Sequence, residues 1–137
     1  MKILAIETSC DETAFALVEA NGSLTDLTFK IKKSVISSQI ALHAEWGGVV
    51  PNIAKREHQK NLPLIFEKSF LPLIKKGLKI DLIALTVGPG LEPCLWTGVN
   101  FAKEIHKKYL PQTKIIGVNH LEGHLYSFLA DKKPEIS

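Results

Sequence analysis

Apolar positions come in short runs separated by polar turns. Residues 3–8 form an apolar run that closes on polar side chains, the pattern of a buried strand. Residues 13–19 form a second strand-like run, with Ser9-Cys10-Asp11-Glu12 as the turn between the two. Asn21-Gly22 is a strong hairpin signal. Behind it residues 24–36 alternate, with Leu27, Phe29 and Ile31 on one face. The opening of the chain therefore predicts an antiparallel three-stranded meander.

The period then changes. Residues 37–51 read as loop, with Gly47-Gly48 and Pro51. From residue 53 to about residue 76 the spacing is helical, and Pro63 and Pro72 imply two helices or one kinked helix. Gly77 is placed to cap the end. Residues 80–87 are almost continuously apolar, as in a strand buried on both faces, and Gly88-Pro89-Gly90 stops them. Residues 95–109 predict a helix ended before Pro111, residues 114–118 a strand, and residues 121–130 a short helix. Three meander strands leading into crossovers predict an α/β fold: a mixed five-stranded sheet with helices on both faces and residues 3–8 at its centre. That is the ribonuclease-H-like arrangement, which is also one lobe of the actin-like ATPases.

Composition narrows the class. The 137 residues suit one domain, with 45% hydrophobic and 23% charged residues. No apolar run approaches the ~20 residues that cross a bilayer, and the N-terminus lacks the apolar stretch of a signal peptide. Cys10 and Cys94 are too few for a disulfide framework and read as reduced cytosolic thiols. The net charge of +3 comes with small lysine clusters spread along the chain, which permit nucleic-acid contact without demonstrating it. Residues 131–137 form a polar tail.

Candidate chemistry concentrates in Asn119-His120-Leu121-Glu122-Gly123-His124. On a helix, His120 and His124 share a face, so their nitrogens can bind one metal ion with help from elsewhere. Spacing alone leaves a solvated or structural pair open. Glu122 lies about 200° around the helix from His120 and points elsewhere. Asn119 is placed to cap the helix. The turn from Thr8 to Thr13 offers hydroxyls, N–H groups and two carboxylates; a plain polar turn is the alternative. Gly88 and Gly90 end a buried strand beside the cleft expected at strand C-termini, where a simple strand-to-helix turn is equally compatible. His43, His58 and His106 have no partner at ligand spacing and read as structural or exposed.

Several motifs occur together in order: Ile6-Glu7-Thr8-Ser9-Cys10-Asp11-Glu12-Thr13, Ser37-Ser38-Gln39, Gly47-Gly48-Val49-Val50-Pro51, Gly88-Pro89-Gly90-Leu91, and Val118 to His124. The chain in this respect resembles the TsaD family, formerly described as O-sialoglycoprotein endopeptidase, and its Gly-Gly-Val-Val-Pro loop resembles bacterial members. The resemblance implies a transferase that moves threonylcarbamoyl from threonylcarbamoyl-adenylate to N6 of adenosine 37 in tRNAs reading ANN codons. It implies one divalent metal per subunit on His120 and His124, with iron favoured by the family and zinc or magnesium open. It implies catalytic roles for Asp11 and Glu12, and substrate or nucleotide contacts at Thr8, Ser9, Gly88, Gly90 and Asn119.

Family members have two lobes and more than twice this length. The resemblance therefore makes residues 1–137 an N-terminal lobe, cut from a longer protein or encoded by a truncated gene. A C-terminal lobe would carry most of the adenine-nucleotide site and an acidic third metal ligand, so the isolated lobe is expected to be inactive. Implied partners are TsaB-like and TsaE-like subunits and tRNA, in the cytoplasm and away from membranes. Glu92-Pro93-Cys94-Leu95-Trp96 departs from the small or aliphatic residues of many members, with Trp96 a candidate subunit contact. A homodimer through the two main helices is a further expectation, resting on Leu62, Ile65, Phe66, Phe101 and Ile105 as surplus apolar residues. Two alternatives stand beside the transferase: a metalloendopeptidase, and a non-catalytic TsaB-like subunit. The first is weakened because His-x-Glu-x-His sets its glutamate off the metal-facing stripe of His-Glu-x-x-His.

Overall fold

The computed structural model describes residues 1–129. Five strands form one sheet in the order β3-β2-β1-β4-β5: β1 (Lys2–Glu7), β2 (Glu12–Asn21), β3 (Thr28–Ser38), β4 (Leu82–Gly88) and β5 (Lys114–Asn119). The first three run antiparallel, while β1–β4 and β4–β5 are parallel pairs. The central position of β1 is as the sequence predicts. The helices are α1 (Ile40–His43), α2 (Pro51–Ser69), α3 (Leu71–Lys75), α4 (Glu92–Tyr109) and α5 (His120–Tyr126).

Alternation in the strands decides which face is filled. Leu4 and Ile6 of β1, Phe15 and Leu17 of β2, and Ile83 and Leu85 of β4 are buried against Leu62, Phe66, Phe70 and Ile105. Phe15 lies 5.4 Å from Phe70 and 6.1 Å, edge-on, from Phe101, centroid to centroid. Each such side chain contributes about 1.5–3 kcal/mol by leaving water.

Helices on both faces are the expectation; among the described residues both long helices, α2 and α4, pack on one. The connections β1-to-β4 and β4-to-β5 step the same way along the sheet. Right-handed crossovers of one sense deposit their helices on one side. The other face shows small residues, Ala5, Ala14, Ala16 and Ala84, in a shallow groove of about 200 Å3, and α5 meets only its rim beside β4 and β5.

Several boundaries differ from the sequence reading. Pairing continues to Asn21 opposite Thr28, so the hairpin loop spans residues 22–27 and β3 starts at Thr28, leaving Leu27 in the turn. Ser37 and Ser38 still pair in β3, and α1 and a 3-10 turn (Ala44–Trp46) occupy the expected loop. Helix α2 starts with Pro51 and runs through Pro63, which has no N–H to donate to the Gln59 carbonyl; only Pro72, near the start of α3, accompanies a break. Helix α4 starts at Glu92, with Pro93 in its first turn. Leu62, Ile65, Phe66 and Ile105 are core residues and not a spare surface, because the turns of α2 and α4 that carry them lie on the sheet. The expected helix end at Ala130 and the polar tail lie outside the described residues.

Candidate active-site cleft

An open cleft of about 570 Å3 lies at the C-terminal ends of the parallel strands β1, β4 and β5, where α/β sheets place ligands. It is bordered by Glu7, the turn after β1, Thr86, and α5. Strand parity explains what points there. Leu4, Ile6 and Thr8 face the helices, so Ile3, Ala5 and Glu7 face the other way, and Glu7 meets Thr86 of β4 at the sheet's end.

Helix α5 brings its two imidazoles together. The Asn119 side-chain oxygen accepts from the N–H groups of Leu121 (2.9 Å) and Glu122 (3.2 Å), the cap its position predicts. One turn on, His124 Nε2 comes within 3.1 Å of His120 Nε2. Two ligands each about 2.0–2.1 Å from one ion lie roughly 2.9–3.4 Å apart at common coordination angles, so the pair fits a shared ion as well as a ring-to-ring hydrogen bond.

The other nitrogen of His120 is also held. Nδ1 lies 3.2 Å from Glu7 Oε2 and 3.2 Å from Ser9 Oγ. A carboxylate at Nδ1 favours the tautomer with its proton there, which leaves Nε2 as a lone-pair donor. Glu7 Oε2 accepts a hydrogen bond from the Thr86 hydroxyl at 2.6 Å, and its Oε1 accepts from the Ser9 N–H. Burial works to raise the Glu7 carboxyl, but hydrogen bonds from Ser9, Thr86 and His120 together hold it below the usual carboxylate range. It stays ionised at neutral pH, which suits an orienter of imidazole.

The predicted residues separate into two groups. Ser9, Asp11, Glu12, Asn119, His120 and His124 all border the cleft. Thr8 does not: it is buried, and its hydroxyl donates to the Cys94 carbonyl of α4 at 2.9 Å. Its parity with Leu4 and Ile6 explains the placement and corrects its reading as a substrate contact. Gly88 and Gly90 are not among the bordering residues either. A Cβ on Gly90 would stand 2.6 Å from the Ser9 carbonyl oxygen, so this glycine lets the loop before α4 close on the turn, where Leu91 N–H donates to Ser9 C=O at 2.8 Å. Glu122 is exposed and outside the cleft lining, as its helical position implies.

Sequence reasoning passed over Glu7 and Thr86. The signal for Glu7 was present: a carboxylate at the end of a central strand, on the parity opposite its buried Leu4 and Ile6. Of the histidines without a ligand partner, His43 and His58 are buried and His106 is half-buried. Cys10 and Cys94 are free thiols; burial pushes Cys94 up to about 11 and, with Asp11, raises Cys10 too, so both stay protonated at neutral pH. Among the described residues no three His, Cys, Asp or Glu side chains converge on one metal position. No described helix is long and apolar enough to cross a membrane.

Comparison with known proteins bears on this arrangement. A family profile described as "TsaD: tRNA N6-adenosine threonylcarbamoyltransferase" matches residues 30–137. The chain is 48% identical to the protein of that name from Thermosipho melanesiensis, over 93% of this chain and 36% of the relative. It is 45% identical to that from Fervidobacterium nodosum, over 98% of this chain and 38% of the relative, and 45% identical to that from Prochlorococcus marinus strain MIT 9312, over 93% and 34%. The chain thus spans about a third of the length of these curated relatives. In architecture it is similar to YeaZ from Pseudomonas aeruginosa (TM-score 0.53, 18% identity, 92% of this chain and 48% of that one). It is also similar to RuvC from Thermus thermophilus (TM-score 0.54, 8% identity, 98% and 73%). At these identities the likeness is one of fold, and it agrees with the ribonuclease-H-like arrangement.

Proposed function

The chain belongs to the TsaD family of tRNA N6-adenosine threonylcarbamoyltransferases, and from that premise we propose that its cleft is one side of a threonylcarbamoyl-transfer centre. The reaction takes threonylcarbamoyl-adenylate and N6 of adenosine 37 in tRNA. The N6 lone pair forms a bond to the carbamoyl carbon, the bond from that carbon to the phosphate oxygen breaks, and AMP leaves with the electron pair. N6 gives up one proton. Asp11 and Glu12 line the cleft and are the proposed acceptors for it. Two carboxylates repel a bare phosphate, so the adenylate's phosphate is best placed on the imidazole side of the cleft.

The observation that carries this reading is the convergence of His120 and His124, with Glu7 and Ser9 fixing the first ring. These residues fit a divalent metal: two neutral imidazoles, one oriented by a carboxylate. Such an ion, iron by family and zinc or magnesium as alternatives, would supply Lewis-acid polarisation of a carbamoyl or phosphate oxygen. An acidic ligand and most of the adenosine contacts are assigned to a second lobe, so the lobe alone is inactive on this reading. Metal analysis of a full-length protein containing this chain tests the assignment. Close to one ion per subunit is expected, falling severalfold in His120→Ala and His124→Ala; unchanged content in both variants would overturn it.

The peptidase alternative is disfavoured because Glu122, the glutamate between the two histidines, is exposed and outside the cleft lining, while Glu7 is engaged at His120 Nδ1, away from the paired Nε2 atoms. A non-catalytic role leaves the ordered pair unused. Partner subunits of the TsaB and TsaE type are part of the proposal, in the cytoplasm. A groove of about 590 Å3 between α2 and α4, bordered by Gln59, Pro63 and the half-exposed Trp96, is the proposed docking place for a TsaB-like subunit or a second copy.

A further inference from the structure

The turn that carries Asp11 and Glu12 has three consecutive carbonyls, Ser9 to Asp11, tied to three different parts of the fold. The Ser9 carbonyl accepts from Leu91 N–H at 2.8 Å, just before α4. The Asp11 carbonyl accepts from Gln39 N–H at 2.8 Å, just after β3. The Cys10 carbonyl accepts from a side chain, His58 Nε2 of α2, at 2.9 Å.

His58 is fully buried, and both of its nitrogens are engaged. Nε2 donates to Cys10, so in the neutral ring Nδ1 is the acceptor, and the Thr13 hydroxyl lies 2.7 Å from it. Thr13 is itself fully buried at the far end of the same turn. One rigid ring therefore spans the turn from Cys10 to Thr13, with Asp11 and Glu12 as the two residues between its anchors. Core histidines commonly make one bond to a nearby backbone group; this ring clamps both sides of a cleft turn 45 and 48 positions away in sequence.

We propose that His58 is a positioning residue for the transfer reaction: bridging Cys10 C=O and the Thr13 hydroxyl, it holds the Asp11 and Glu12 carboxylates in register with the His120–His124 pair. It touches no substrate. This inference rests on the transfer reading above, and it adds a residue on the opposite side of the sheet's end from the cleft. The neutral Nε2–H tautomer makes both bonds with the Thr13 hydroxyl as donor to Nδ1, and burial, which lowers the ring's proton affinity, favours that neutral form.

The test uses a full-length protein containing this chain. His58→Leu keeps most of the volume and removes both bonds; His58→Gln can donate to Cys10 through its amide nitrogen and accept from Thr13 through its oxygen. The expected result is a kcat lowered about 10–100-fold in His58→Leu with KM for tRNA little changed, because turn geometry and not binding is lost. His58→Gln should recover most of that rate, and metal content should stay at wild type in both. Amide hydrogen exchange of the Asp11 and Glu12 N–H groups should quicken in His58→Leu and return toward wild type in His58→Gln. A folded His58→Leu with wild-type kcat overturns the inference, as does a His58→Gln no better than His58→Leu at equal stability. If the wild-type protein transfers nothing to tRNA, the transfer reading fails. The exchange measurement then decides the clamp alone: unchanged exchange in His58→Leu removes it.

Discussion

Glu7 carries three jobs at one carboxylate. It accepts from the Ser9 N–H and the Thr86 hydroxyl, and sets the tautomer of His120. Its contact with His120 spans 113 positions, so no local pattern advertises it. Glu7→Gln keeps the shape and loses the charge that stabilises Nδ1–H. Metal affinity of the His120–His124 pair should then fall about 10–100-fold, read by titration with zinc in a full-length protein. Undiminished affinity would leave Glu7 a structural residue only. His58 gives a pH prediction. Burial lowers its pKa from 6.5, against opposing pulls from the Cys10 carbonyl and from Glu7, Asp11 and Glu57. Above pH 6.5 folded and unfolded chains both carry it neutral, and the buried bonds count in full. As pH falls from 6.5 toward the depressed folded value, the unfolded chain takes up the proton first, so stability declines through that window. Urea midpoints between pH 7.5 and 5 should show the decline, and His58→Gln should flatten it.

At the scale of elements, α4 comes very close to Thr8, the residue just after β1. A Cβ on Gly98 would collide with the Thr8 hydroxyl, the group that bonds Cys94 C=O. Gly98→Ala should cost about 1–3 kcal/mol in urea unfolding through forced separation of helix and strand. Adding Thr8→Ala should return part of that loss, a positive coupling that independent sites would not show. The same pair shows what the sequence discloses. Leu4, Ile6, Phe15 and Leu17 alternate with period two, so strands, meander and the central place of β1 were legible, and Thr8 could have been read as inward by extending that parity. Pro63 could not: a proline inside a helix reads as a break until the helix is seen to run through it. The start of α4 at Glu92 depends on Leu91 N–H meeting Ser9 C=O, a bond between segments 82 positions apart that no window reveals. The one-sided packing of α2 and α4 follows from crossover sense, which element order alone did not fix. Of the cleft, the histidine pair and the acidic turn were visible as motifs and Glu7 could have been read from strand parity, while the contacts of Glu7 with His120 and Thr86 and of His58 with the turn appear only in three dimensions.

At the scale of the whole molecule, two imidazoles and two carboxylates lie together at strand ends, and the proposed reading assigns the remaining groups of the centre to a second lobe. The chain spans about a third of its curated relatives, and among its described residues no third metal ligand joins the pair. On the proposed reading this lobe alone should bind zinc far more weakly than the full-length protein, by about 100-fold or more, because two imidazoles leave most positions to water. Calorimetric titration of both proteins at pH 7.5 checks this, and equal affinities would show that no ligand comes from outside the chain. The most direct test of the account is a single-turnover transfer assay with full-length protein, its partner subunits, unmodified tRNA and labelled threonylcarbamoyl-adenylate. The account predicts label on adenosine 37 with wild type, and a rate at least about 100-fold lower in His120→Ala and in His124→Ala, both still folded. Wild-type rates in the two variants, or no transfer by wild type under those conditions, would contradict it.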